Sequence, residues 1–238
     1  MNQIKIGKFI AERRKERGLL QKDIAASFLA KIHGAMKDME GIPVGIGADF
    51  FTYRKPEYMK EAYAYTLQQA IENNDTNIAA QIRSNMRIVD AMPAYKFDIR
   101  RFSCGNTHGD YMISQLIWKD EKINGIIDWT CTCKHPYIWE IVRSYIFMAP
   151  EIKQGEIDIE ALINYVSEYM KYGSLKSYDI ENAGKLFFYF LAVCNFYGQY
   201  YASIYKNRYI FTTGEYGITA SSHGICLLSR TNYLYYSE

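Results

Sequence analysis

The sequence predicts an α+β fold that is mainly α-helical and contains one small β-hairpin. Several stretches place apolar residues at helical spacing, whereas two short apolar runs divided by a charged turn have the pattern of paired strands. With 238 residues and 49% hydrophobic composition, the chain is long enough to bury a substantial core. We therefore expect one large domain or two small ones, built mostly from helices.

The first segment, residues 1–26, carries the basic excess of the chain. It holds seven Lys or Arg against three Asp or Glu, and the net charge of the whole chain is only +2. Residues 4–17 have helical spacing, and a second short helix is predicted over residues 20–25. The phrase Ile10-Ala-Glu-Arg-Arg-Lys-Glu-Arg-Gly-Leu, followed by Gln21, resembles the opening of bacterial helix-turn-helix repressors. No recognition helix follows it, so we expect no DNA reading and favour a solvated helix face.

Further helices are predicted on both sides of the hairpin. Residues 41–47 are predicted to be a connecting loop and not a phosphate-binding loop. Their glycine spacing fits no nucleotide fingerprint, and Pro43 lacks the backbone donor that a phosphate-binding loop would need. The 22 tyrosines predict half-buried helix faces whose phenol ends reach water. The predicted helices are residues 27–40, 56–73, 76–91, 159–171, 180–206 and 217–235.

Cysteine usage and hydropathy indicate the compartment. The five cysteines are an odd number in irregular spacing, which is typical of reduced thiols in a cytoplasmic protein. The amino terminus lacks the pattern of a signal peptide. The most apolar run, residues 186–194, falls short of the roughly 20 residues that span a bilayer. We expect a cytoplasmic protein with no membrane partner.

Two carboxylates and a side-chain amide lie at the ends of the predicted hairpin. Asp110 precedes the first strand, residues 116–118, and Asp128 follows the second, residues 123–127. The two ends of an antiparallel pair lie side by side, so Asp110, Asp128 and Gln115 can face one small volume. Carboxylate and amide oxygens suit both magnesium and the orientation of an acceptor hydroxyl, which phosphoryl transfer requires.

The motif His108-Gly-Asp110 with Gln115, followed by Gly125-Ile-Ile-Asp128-Trp129, resembles the aminoglycoside phosphotransferase family, relatives of choline kinases and protein kinases. Residues 28–37 resemble the helix after the hinge of that family. His135-Pro with Trp139-Glu-Ile-Val-Arg-Ser-Tyr145 resembles the helix after its metal-binding Asp. The resemblance covers about residues 27–238, and it implies a kinase-like carboxy-terminal lobe as one domain, after a separate segment of residues 1–26.

The resemblance also implies roles and cofactors. Asp110 would be the catalytic base, and Asp128 and Gln115 would hold Mg²⁺ beside ATP. Gln115 stands where the family most often has Asn. His108 would steady the loop, and Gly109 would allow its turn. The acceptor would be a hydroxyl of an aminoglycoside, amino alcohol or sugar.

Other titratable residues have plainer interpretations. His33 and His135 have no carboxylate or cysteine partner at ligand spacing, which favours packing or surface roles. The acidic cluster of residues 151–160 could attract a cationic substrate, but a solvated helix start is the more common meaning of such a cluster.

The amino-terminal lobe of a kinase, with its phosphate-covering loop and strand lysine, is not recognisable in the sequence. A truncated phosphotransferase is therefore expected, with impaired activity unless another chain supplies a complementing lobe. An exposed apolar interlobe face would promote self-association. The alternative is a non-catalytic regulatory or interaction protein that contacts DNA or a partner weakly through its basic first helix.

Overall fold

The computed structural model describes residues 21–47, 56–91, 96–120, 122–148 and 157–193, together with Tyr197 and Tyr201. The helices predicted over residues 4–17 and 217–235 lie outside these residues. The α-helices of the described part are α1 (Gln21–Met36), α2 (Pro56–Glu72), α3 (Thr76–Ala91), α4 (Tyr137–Met148), α5 (Ile159–Met170) and α6 (Ser177–Ala192). Its strands are β1 (Cys104–Thr107), β2 (Leu116–Lys119), β3 (Lys122–Ile126) and β4 (Cys133–Pro136).

The chain divides into two compact units. Of the described residues, the first unit contains those within 21–46, 101–148 and 157–180, and the second contains those within 47–100 and from 181 onward. The first unit therefore holds α1, all four strands, α4 and α5. Every residue of the predicted site belongs to this unit.

Helix α1 is continuous, so the prediction of two separate helices over residues 20–25 and 27–40 is wrong. No glycine or proline interrupts the chain between Gln21 and Ile32. Ala25, Ala26 and Leu29 are fully buried and form one face. Helix α1 packs chiefly against α5, and its small alanines allow close approach. The predicted boundary between residues 26 and 27 falls inside this helix.

The hairpin at the site is confirmed. Strands β2 and β3 pair antiparallel, with Leu116 opposite Ile126 and Lys119 opposite Lys122. A second antiparallel pair was not predicted: β1 pairs with β4, from Cys104 opposite Pro136 to Thr107 opposite Cys133. Its strands are polar and only four residues long, so local pattern carries little signal for them.

The expectation that phenol ends reach water is met by Tyr172, which is 59% exposed, but not by four other tyrosines of the first unit. Tyr111, Tyr145, Tyr165 and Tyr169 are almost completely buried. Their hydroxyls find partners inside the unit: Tyr111 donates to the carbonyl of Ala25 at 2.8 Å, for example. Burial with a satisfied hydroxyl makes each ring a large part of the core without an orphaned polar atom.

Helix α5 begins where Asp158 accepts a hydrogen bond from the Ala161 amide at 3.0 Å. This is the N-cap arrangement. For Asp158 it confirms that the acidic cluster of residues 151–160 marks the start of a helix. Residues 149–156, which include the rest of that cluster up to Glu156, lie outside the described residues.

The second unit contains the pair α2 and α3, which pack on each other and confirm the predicted helices over residues 56–73 and 76–91. Asn74, with φ of 58°, makes the turn between them. Helix α6 begins three residues before the predicted start at residue 180. No helix in the described ranges is long and apolar enough to cross a bilayer.

Candidate active site

The loop that carries Asp110 depends on a glycine. Gly109 has φ of +81°, and a Cβ placed there would lie 1.8 Å from the carbonyl oxygen of Cys131. Both the backbone conformation and the close approach of the segment after β3 exclude other residues. This agrees with the role that the sequence assigned to Gly109.

Glu140, in the first turn of α4, holds the backbone of the same loop. Its carboxylate accepts hydrogen bonds from the amides of His108, at 3.2 Å, and Gly109. His33 of α1 donates to it from Nε2 at 2.8 Å. Burial by itself would raise the pKa of the Glu140 carboxyl, but the hydrogen bond and charge of His33 outweigh it and lower that pKa. Glu140 is thus an ionised carboxylate that accepts three hydrogen bonds, at least one on each oxygen.

His108 joins the loop to the end of β3. Its Nε2 lies 3.0 Å from the carbonyl oxygen of Ile127, and its ring lies 4.8 Å from that of Trp129. Burial lowers the pKa of the His108 imidazole, so the neutral ring donates from Nε2 to the carbonyl. The contact fixes the loop directly beside Asp128, in keeping with the steadying role expected for His108.

Asp110 is 5% exposed and is held on both carboxylate oxygens. Oδ1 forms a buried ion pair with the guanidinium of Arg143, in α4. Oδ2 accepts a hydrogen bond at 3.1 Å from Nε2 of Gln115. Two of the residues that the sequence predicted for the site, Asp110 and Gln115, are therefore in direct contact.

A backbone hydrogen bond of its neighbour Ile127 connects Asp128 to this part of the site. The amide of Ile127 donates to the carbonyl of Gln115 at 3.1 Å, which places Asp128 one residue beyond that contact. Asp128 has φ of 64°, a left-handed conformation that costs a non-glycine residue energy. Its Oδ1 accepts a hydrogen bond from the Thr130 hydroxyl at 2.6 Å. This bond steadies the carboxylate in its strained position.

Comparison with known protein families identifies the family of this chain. The profile of the phosphotransferase enzyme family, abbreviated APH, matches residues 12–172, more than half of the chain. The chain belongs to the phosphotransferase enzyme family. No curated protein matches it.

The matched region of this phosphotransferase-family chain contains Asp110, Gln115 and Asp128. It also begins earlier than the resemblance drawn from the motifs, because it includes residues 12–26, the segment compared above with helix-turn-helix repressors. It ends at residue 172, two residues after the end of α5.

The ligand atoms of the site fit magnesium better than a softer metal. Two carboxylates and an amide oxygen are hard donors, and Mg²⁺ in phosphoryl-transfer sites completes its shell with water and phosphate oxygens. Among the described residues no group of three or more His, Cys, Asp or Glu could hold a metal ion. Asp128 and Gln115 carry the oxygen donors that the sequence predicted for Mg²⁺.

Sequence reasoning missed three residues that organise the site: His33, Glu140 and Arg143. His33 is buried, in agreement with the packing role expected for it, but it also has a carboxylate partner, Glu140, which lies 107 positions away and therefore not at ligand spacing. His135 is also buried, and its Nε2 lies 2.8 Å from Sγ of Cys133, a cysteine two residues away that the spacing argument overlooked. The useful signal was the spacing of Glu140 and Arg143, which places both charges on one face of an otherwise apolar helix.

Proposed function

We propose that this chain transfers the terminal phosphoryl group of ATP to a hydroxyl of a small molecule, an aminoglycoside, amino alcohol or sugar. One observation carries the proposal: a buried carboxylate, Asp110, is anchored on both oxygens, and Glu140 binds the backbone amides of its loop. The second carboxylate, Asp128, directly follows Ile127, whose amide bonds to the carbonyl of Gln115. Such rigid placement of charged groups is what phosphoryl transfer asks of a protein.

Asp110 is the base in this proposal. It orients the acceptor hydroxyl and accepts its proton as the acceptor oxygen bonds to the terminal phosphorus. The bond from that phosphorus to the bridging oxygen breaks, and its electron pair stays on ADP. The burial of Asp110 supports this role, because its contacts with Arg143 and Gln115 keep the carboxylate in one orientation.

Asp128 and Gln115 hold Mg²⁺ in this proposal. The ion, when bound, neutralises negative charge on the nucleotide phosphates. The hydrogen bond from Thr130 to Oδ1 of Asp128 supports the assignment, because it orients the carboxylate while the other oxygen remains for a ligand.

We also propose that the chain alone turns over slowly. The sequence has no recognisable strand-loop-strand with a phosphate-binding lysine, and that group supplies much of the electrostatic stabilisation in related reactions. A complementing lobe from another chain, or association of two copies, would then raise the rate. Size-exclusion chromatography and a rate that rises with protein concentration test this part.

The decisive experiment is calorimetric titration with Mg²⁺ and ATP of the wild-type chain and two matched variants. Asp128→Asn removes one charge from the site. Asp120→Asn removes one from the far end of the same hairpin, at a residue that also has positive φ. We expect micromolar binding that only Asp128→Asn weakens, by about tenfold or more. No binding by the wild-type chain, or equal loss in both variants, would contradict the proposal.

Turnover is tested separately with a panel of hydroxyl acceptors. ADP formation that depends on an acceptor, and that Asp110→Asn abolishes, is the expected result. Acceptor-independent ADP release equal in wild type and Asp110→Asn would mean that the chain does not use Asp110 as a base.

A further inference from the structure

We propose that Arg143 is a positioning residue: it fixes Asp110 through Oδ1 and leaves Oδ2 as the oxygen that takes the acceptor proton. The inference rests on the proposed function and deepens it, because it names the reacting oxygen and the residue that selects it. It starts from the ion pair between Arg143 and Oδ1 of Asp110, both of which are buried.

The guanidinium of Arg143 is itself held in place. Its central carbon lies 4.8 Å from the ring centre of Phe147 and 5.9 Å from that of Trp139. These rings are four residues after and four before Arg143 in α4, so they flank it on one helix face. Ring contacts of this kind suit the flat guanidinium of Arg and not the compact ammonium of Lys.

Helix α4 therefore holds the loop at two adjacent points. Glu140 accepts from the backbone amides of His108 and Gly109, and Arg143, three residues later, binds the Asp110 side chain. A negative and a positive group on the same face thus fix the backbone and the side chain of one loop. This arrangement sets both the position and the rotation of the Asp110 carboxylate.

The two carboxylate oxygens of Asp110 have unequal partners. Oδ1 faces a cation, whereas Oδ2 faces the neutral amide of Gln115 at 3.1 Å. A proton added to Oδ1 would weaken a charge-assisted hydrogen bond, but Oδ2 has a second lone pair and a neutral neighbour. The acceptor proton therefore goes to Oδ2, while the acceptor oxygen bonds to the terminal phosphorus and ADP leaves with the electron pair of the broken bond.

The test compares Arg143→Met and Arg143→Lys with Arg101→Met. Arg101 is a matched control in the same unit: it is exposed, and its guanidinium lies 3.9 Å from the ring centre of Tyr178. We expect Arg143→Met to lower kcat by about 100-fold, the cost typical of a misplaced reacting group, with KM changed less than threefold. Arg143→Lys should fold like the wild type and recover only part of kcat. Added guanidinium ion should raise kcat of Arg143→Met but not that of Arg101→Met.

A merely structural role would change KM and stability together and would not respond to guanidinium. A kcat of Arg143→Met within threefold of that of Arg101→Met overturns the proposal. So does a normal kcat in Arg143→Lys combined with no guanidinium rescue.

A second measurement separates failure of this inference from failure of the proposed function. In protein with ¹³C-labelled aspartate, the Asp110 carboxyl resonance, assigned from Asp110→Asn, should shift in Arg143→Met and stay in place in Arg101→Met. If the wild type phosphorylates no acceptor but this shift occurs, the ion pair stands and the proposed reaction is wrong. If the resonance does not move, Arg143 does not position Asp110, whatever the activity.

Discussion

Glu140 and His33 are 107 positions apart in the sequence, and a 2.8 Å hydrogen bond joins them in the interior of the first unit. The same carboxylate binds the amides of the loop before Asp110. A buried charge therefore connects α1, α4 and the candidate catalytic loop. Removing that charge should disturb stability and activity together.

The variant Glu140→Gln keeps the shape of the side chain but removes its charge. We expect the free energy of unfolding to fall by about 3 kcal/mol, because two loop amides and His33 lose their anionic partner. Urea unfolding at pH 7 measures this. Glu160→Gln, at an exposed position of α5, is the control and should change stability by less than about 0.5 kcal/mol. Equal effects in the two variants would contradict the prediction.

Two glycines should respond in opposite directions to alanine. At Gly109, the positive φ and the 1.8 Å approach to the Cys131 carbonyl mean that Gly109→Ala displaces the loop and abolishes activity. At Gly34, near the end of α1, an added Cβ meets no atom within 4 Å. Gly34→Ala should raise stability by about 0.5–1 kcal/mol. Thermal unfolding measures the stability of each variant, and the phosphotransfer assay measures its activity. An active Gly109→Ala protein would contradict this prediction.

Stability should fall as the pH is lowered from 6.5 towards 4. Burial lowers the pKa of His135 to about 4 from its ordinary value of 6.5. Between these values the unfolded chain binds a proton that the folded chain does not, so unfolding is favoured as pH decreases. The full effect of His135 is about 3 kcal/mol. His108, whose pKa burial also lowers, acts in the same direction.

Urea unfolding at several pH values between 4.5 and 7.5 measures this dependence. The His135→Gln variant should have a smaller slope of unfolding free energy against pH, since its side chain does not titrate. Below about pH 4.5 the Glu140 carboxyl adds a loss of the same sign, because its pKa is lower in the folded state than in the unfolded chain. An unchanged slope in His135→Gln would show that His135 does not carry the effect.

Gln115 should matter for the nucleotide more than for the fold. Gln115→Leu removes the amide that donates to Asp110 and, in the proposed site, coordinates Mg²⁺. We expect about a tenfold loss of Mg²⁺–ATP affinity, roughly the contribution of one hydrogen bond to a charged group. Gln115→Asn should retain part of that affinity, and Ser114→Ala, at an exposed neighbouring position, should retain all of it. Calorimetric titration that finds full affinity in Gln115→Leu would remove Gln115 from the metal site.

Much of the fold follows from local pattern. The helices α2, α3 and α5 and the hairpin of β2 and β3 lie close to their predicted bounds, because each has a clear period and a turn or cap at its ends. The pair of β1 and β4 was missed, since its strands join residues 26 to 32 positions apart and have no apolar alternation. Pairing of that kind depends on tertiary contacts.

The sequence by itself determined the hairpin and predicted the three candidate site residues, since the motif around Asp110 and the hairpin that carries Gln115 and Asp128 lie within one short stretch. Only the tertiary structure decided what holds them. Glu140 from α4 binds the loop, His33 from α1 binds Glu140, and Arg143 binds Asp110. The physical reason is the separation along the chain over which each interaction acts. Turns and strand alternation act between near neighbours in the chain, whereas a buried charge is stable only beside a partner that folding brings from far away.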